Sequence, residues 1–123
     1  MATIESVREV ARHLPRSYEA LVRGRVKFRV GRIVYIAFSR DQELMGFAFP
    51  KYLREPLIAS EPEKFLMPKL ADQRHNWVVV RLRAIDDVEM RHLVLDAWAM
   101  VVPKGVAAAQ FGDMPAPQGD LQA

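Results

Sequence analysis

The sequence predicts a single α+β domain, a mostly antiparallel sheet packed with helices, and three observations carry that prediction. Helical and strand periodicities both occur, but they do not alternate regularly along the chain as a βαβ fold requires. The chain has 123 residues, and single cores commonly run about 100 to 150. Half of the residues are apolar and 27% are charged, the composition of a globular chain rather than a disordered one. The expected order is helix, hairpin, third strand, short helix, strand and long helix over residues 1–104, with 105–123 as a flexible C-terminal tail.

Thr3 to Leu14 reads as an amphipathic helix. Ile4, Val7, Val10, Ala11 and Leu14 fall at helical spacing, with Glu5, Arg8, Glu9 and Arg12 opposite. Pro15 ends it, because the residue before a proline is pushed out of the α region. From Arg25 the period changes to two: Arg25, Lys27 and Arg29 alternate with Val26, Phe28 and Val30, a strand with one basic and one apolar face. Gly31-Arg32 suits a two-residue hairpin turn with glycine first. The return strand, Ile33 to Phe38, is apolar on both faces, which predicts cover on each side.

Leu44 to Phe49 is a third strand, stopped by Pro50. Lys51 to Ser60 forms a short helix around Pro56, and Glu61 to His75 an irregular connection. Asn76 to Ile85 is a strand whose Val78, Val80 and Leu82 face the core, leaving Trp77, Val79, Arg81 and Arg83 on the other face. Asp86 and Glu89 form a capping box for the last helix. That helix is apolar on most sides apart from Asp96, so burial or a subunit interface is expected. Pro103 closes it.

Chemistry is excluded more readily than assigned. There is no cysteine, which removes disulfides, thiolate catalysis and cysteine-ligated metals. No nucleophile elbow, zinc-protease helix, phosphate loop or dinucleotide turn can be found. Glu89 and His92 stand at helical metal-ligand spacing but lack the second copy that di-iron bundles use. His13 closes a helix and faces its free carbonyls. His75 lies in a connection close to Trp77, with few partners to make a site of it. Trp77 and Trp98 read as core anchors, and Met45, Met67, Met90 and Met100 as core filler. The expectation is a protein without catalysis, metal or cofactor. With no apolar run long enough to span a bilayer, and no basic-then-apolar start, it is expected in the cytoplasm.

The charge is unevenly placed. Arg8, Arg12, Arg16, Arg23, Arg25, Lys27, Arg29 and Arg32 face only Glu9 and Glu19 in their segment, a net of +6, against +3 for the whole chain. Thirteen of the 18 cations are Arg, suited to bidentate contact with phosphate or carboxylate. If the two basic strands share a sheet face, five cations and Trp77 share a surface, as in nucleic-acid binders. The competing reading is a solvated face, or one covered by acids such as Glu5, Glu9 and Glu19.

Several short stretches then resemble the MmcQ/YjbR-like family in the family's order. They are Leu14-Pro15 with Glu19; the hairpin Phe28-Arg29-Val30-Gly31-Arg32-Ile33-Val34-Tyr35; Glu61-Pro62-Glu63-Lys64-Phe65; Trp77-Val78-Val79-Val80-Arg81-Leu82; Asp96-Ala97-Trp98; and Val102-Pro103-Lys104. The resemblance implies a compact α+β domain similar to type III secretion chaperones and, in its sheet, to frataxin-like proteins. It also implies DNA binding, the usual label of the family, with no catalytic residues attached. The combined expectation is weak or non-specific DNA binding through Arg23, Arg25, Lys27, Arg29 and Arg32, supported by Arg81, Arg83 and Lys104. The alternative is a protein–protein or small-ligand module, a homodimer using Ile33 to Phe38 and the last helix.

Overall fold

The computed structural model describes residues 1–111 and shows the α+β fold. A six-stranded, wholly antiparallel sheet is built from β1 (Ser17–Val22), β2 (Arg25–Val30), β3 (Ile33–Phe38), β4 (Leu44–Ala48), β5 (Phe65–Leu66) and β6 (Trp77–Arg81), in the order β1-β2-β3-β4-β6-β5. The helices are α1 (Ile4–Ala11), α2 (Arg54–Ser60), α3 (Asp87–Ala99) and α4 (Lys104–Phe111). None of the described helices is long and apolar enough to cross a membrane.

α1 starts where Thr3 and Ser6 cap each other: the Ser6 amide donates to the Thr3 hydroxyl, and the Thr3 amide to the Ser6 hydroxyl. The helix ends earlier than its periodicity suggests. His13 and Leu14 bond three residues back, to Val10 and Ala11, because Pro15 cannot continue the four-back pattern and the last turn tightens. Pro15 is then followed by Arg16 at φ 66°, which turns the chain into β1.

β1 is not predicted by the sequence pattern, and neither is β5, which lies inside the expected irregular connection Glu61 to His75. β1 is an edge strand whose core side carries Ser17, Glu19 and the exposed Leu21, while Tyr18, Ala20 and Val22 lie on the open face, so its pattern does not announce a side packed on the core. Arg23 and Gly24 turn it into β2 with φ of 53° and 80°, the doubly left-handed turn that matches strand twist. The next turn behaves as expected, with Gly31 alone at positive φ and Val30 opposite Ile33.

The apolar run of β3 has a different cause from cover on both sides. The register slips between Phe28 and Arg29, which stand opposite Ile36 and Val34. This bulge turns the neighbours Tyr35 and Ile36 both into the core, while Val34 and Ala37 stay half-buried on the far side and Ile33 is 54% exposed.

The core lies between one sheet face and α1 with α3. Phe28, Tyr35, Ile36, Met45, Phe47, Val78 and Val80 meet Val7, Ala11, Met90, Val94 and Trp98, all essentially inaccessible; each large side chain contributes about 1.5–3 kcal/mol. α3 buries one stripe rather than most of its surface, and Arg91, His92 and Asp96 face solvent. Asp86 accepts from the Glu89 amide at 2.8 Å as expected, but the Glu89 carboxylate does not return the bond; Lys64 holds it at 3.0 Å. The Trp98 indole donates to the Pro15 carbonyl at 2.9 Å, tying α3 to the end of α1.

The expected tail starts too early. Residues 104–111 form α4, whose Phe111 packs edge-on against Trp98 with ring centroids 6.2 Å apart; that contact supplies the apolar partner which the local composition lacks. Residues 112–123 of the expected tail lie outside the described residues.

Tyr35 makes the core sensitive to alkali. Its hydroxyl shares a hydrogen bond with Ser17, and burial pushes the phenol up to about 12. The folded state therefore holds this proton more tightly than the unfolded chain, whose phenol titrates near 10. That stability is complete below about pH 10 and lost as pH rises towards 12, in all about 2–3 kcal/mol. Denaturant titrations should show this fall in the native protein and not in Tyr35→Phe.

Candidate functional site

The sheet face turned away from α1 and α3 carries the candidate site. Lys27 stands opposite Ala37, Ala37 opposite Gly46, Gly46 opposite Val79 and Val79 opposite Leu66, so these residues share one face. Alternation along the strands then adds Arg25 and Arg29 on β2, and Trp77 and Arg81 on β6. The two basic strands thus do lie in one sheet with their charged faces aligned.

Between them runs a trough of about 800 Å³. Arg25 and Lys27 form one wall, and the segment from Leu66 to Lys69, with Asp72 and His75, forms the other. Small side chains pave the floor: Ala37, Gly46 and Ala48. Gly46 is required there, since a Cβ would fall 2.5 Å from Nε1 and 2.8 Å from Cε2 of Trp77. The indole therefore lies over the bare backbone of β4. Trp77 is half-buried on this open face instead of anchoring the core, and Met67 and Met100, 39% and 42% exposed, line the trough instead of filling the core. Trp98, Met45 and Met90 are buried as expected.

The electrostatics of the β2 wall are one-sided. Among the described residues no carboxylate lies within ion-pair distance of Arg23, Arg25, Lys27, Arg29 or Arg32. The acids expected to cover them are engaged or face elsewhere. Glu19 stands opposite Phe28, on the helix side of β1, and with Glu5 it pairs with Arg8; these carboxylates raise the affinity of that guanidinium for its proton. Arg25 and Arg29 also bury their Nε atoms with no protein acceptor.

The other expected cations are less uniform. Arg23 and Arg32 are exposed in the turns at opposite ends of β2. Arg81 points a terminal nitrogen to the Glu63 carbonyl at 3.3 Å. Arg83 is not on the strand: β6 ends at Arg81, and Arg83 lies in the helical turn Leu82–Ala84, 3.9 Å from Glu43. Lys104 opens α4 and does not line the trough. Arg40 belongs with the site and is not marked by the sequence pattern. It lies outside the basic segment, but the β3–β4 turn brings its Nη1 beside the Arg23-Gly24 turn, 3.2 Å from where a Gly24 Cβ would sit. Nearby Asp41 is occupied by the Ser39 hydroxyl and the Glu43 amide, which hold its carboxyl below the usual range.

A buried arginine fixes the far wall. Arg54, 8% exposed, donates to the carbonyls of Trp77 at 2.9 Å, His75 at 3.2 Å and Gln73 at 2.8 Å. Lys51 adds bonds to Arg74 and Asn76. These bonds bring His75 into the trough lining, a placement its sequence neighbours do not announce. His13 does bond the Glu9 carbonyl, at 2.8 Å. Among the described residues no three histidines or carboxylates converge as a metal site needs.

No family model matches the chain, and no curated protein matches its sequence. Among solved structures, the fold is similar to that of Deinococcus radiodurans protein DR2400, whose family-model domain is DUF419. The TM-score is 0.73 at 21% sequence identity, covering 97% of this chain and 94% of that one. At that identity the likeness is one of fold.

Proposed function

We propose that this domain binds nucleic acid, without catalysis, by holding backbone phosphates on the stripe Arg25, Lys27 and Arg29. The observation that carries the reading is three cations in a row on an open sheet face, with no carboxylate in reach among the described residues. Successive members stand about 6.8 Å apart along the strand. Like charges so placed repel one another, and a row of phosphates relieves that repulsion. Two of the three are arginines, whose planar guanidinium suits bidentate phosphate contact. Arg23, Arg32 and Arg40 extend the positive surface at the ends of β2.

The likeness of the Phe28–Tyr35 hairpin to the MmcQ/YjbR-like family supports the same reading by analogy. Lys104, on α4, is left out of the interface. Contacts to phosphate position a strand without reading its bases, so sequence preference is weak.

The test is a fluorescence-anisotropy titration with labelled random-sequence oligonucleotides, single-stranded and duplex, at low and physiological salt. Three to five phosphate contacts predict a log–log salt slope of about −2 to −4. Binding to neither form at low salt would sink the reading.

A further inference from the structure

We infer that the partner is single-stranded nucleic acid, with one unstacked base seated in the trough against Trp77; this rests on the phosphate stripe proposed above. The stripe and the trough are adjacent parts of one surface, and Arg25 and Lys27 belong to both. A polymer that puts an anionic backbone on β2 and a flat, partly apolar group on the floor of β3 and β4 would use the whole surface. An unpaired strand has both parts. A duplex keeps its bases stacked inside, so it can touch the stripe but leaves the trough unused.

Three features of the trough fit a base. At about 800 Å³ it has room for a nucleotide unit. Its floor is built of small residues, Ala37 and Ala48, with the Trp77 indole lying over Gly46 beside them. Its walls bring polar groups with no side-chain partner among the described residues: the Trp77 indole N–H donates and the Asp72 carboxylate accepts, as base edges require. The His75 ring, whose Nε2 accepts from Arg74 Nε, offers its other nitrogen.

The cations of the stripe, about 6.8 Å apart along β2, are spaced to meet successive backbone phosphates; the trough, and not this spacing, selects the unpaired strand.

The experiment compares a labelled random-sequence single strand, its duplex and a nucleoside monophosphate at one low salt concentration, with tryptophan emission followed in parallel. The single strand should bind at least tenfold tighter than the duplex, on the scale of one stacked base. It should also quench Trp77, while buried Trp98 supplies a constant background. Ala37→Leu fills the floor beside Lys27 and removes no charge from the stripe, so it should reduce single-strand affinity to the duplex level and leave duplex affinity within about twofold. Equal or tighter duplex binding overturns the trough assignment and leaves the stripe standing. So does a folded Ala37→Leu protein with unchanged single-strand affinity. A monophosphate that binds as tightly as the strand reassigns the trough to a free nucleotide and overturns the polymer. Failure of all three probes to bind removes stripe and trough together.

Discussion

Replacing Arg25, Lys27 and Arg29 together by Gln is expected to lower affinity for nucleic acid by roughly a hundred- to a thousandfold, at about 1–1.5 kcal/mol for each charge-assisted hydrogen bond to phosphate that is removed. The salt slope should become shallower by about 2 to 3, roughly one for each cation removed. The fold should survive. The three residues project from the sheet face opposite the core, no described residue pairs with their charges, and glutamine keeps a long polar side chain at each site. Removing two arginine Nε donors that lack an acceptor relieves a cost of burial instead of adding one. Anisotropy titration at three salt concentrations measures both quantities, and circular dichroism checks the fold. A native-like triple variant that binds as before would remove this strand from the interface.

Arg54→Met is expected to destabilise the domain by about 3 kcal/mol, because three hydrogen bonds from a charged donor to part-buried carbonyls disappear. Methionine keeps most of the length and the apolar stem, so the change isolates the guanidinium. For a domain of this size the melting temperature should fall by about 10 °C. Arg54→Lys should recover less than half, since one ammonium cannot match the planar fork that reaches Gln73, His75 and Trp77. The damage should be local first. Amide exchange should accelerate in residues 68–76, the far wall of the trough, before it does in β2 or α3. Unchanged melting would mean that Lys51 and the surrounding loop hold this wall without Arg54.

Much of the architecture is legible from local pattern. α1, the β2–β3 hairpin with its Gly31 turn, β4, β6 and α3 each combine an unambiguous period with a glycine, proline or cap at the boundary. These are short-range effects, written within a dozen residues. The failures that change the topology are long-range. β1 sits at an edge and turns Ser17 and Glu19 to the core side, and α4 has little reason to form until Phe111 meets Trp98. The apolar excess of β3 reads as two covered faces, when a bulge places Tyr35 beside Ile36 in one core.

The candidate site divides in the same way. Alternation along β2 is enough to put Arg25, Lys27 and Arg29 on one side of a strand, because the period of an extended chain is two whatever surrounds it. Whether acids covered that side depended on register: Glu19 could have met the stripe, but its place opposite Phe28 sends it to the helix face and Arg8. Strand order set β6 beside β4, and this aligned Trp77 and Arg81 with the stripe across the bare floor of Ala37 and Gly46. Arg40 and Arg54 entered through a turn and a buried clamp, positions no window of sequence marks. Most elements and the charge of one strand face thus follow from neighbours along the chain, and could be read there. That this face stays uncovered, that a trough runs beside it and that Trp77 lines it follow instead from which strands pair. Pairing energy is gained between residues that lie far apart in the chain, so no local pattern records it.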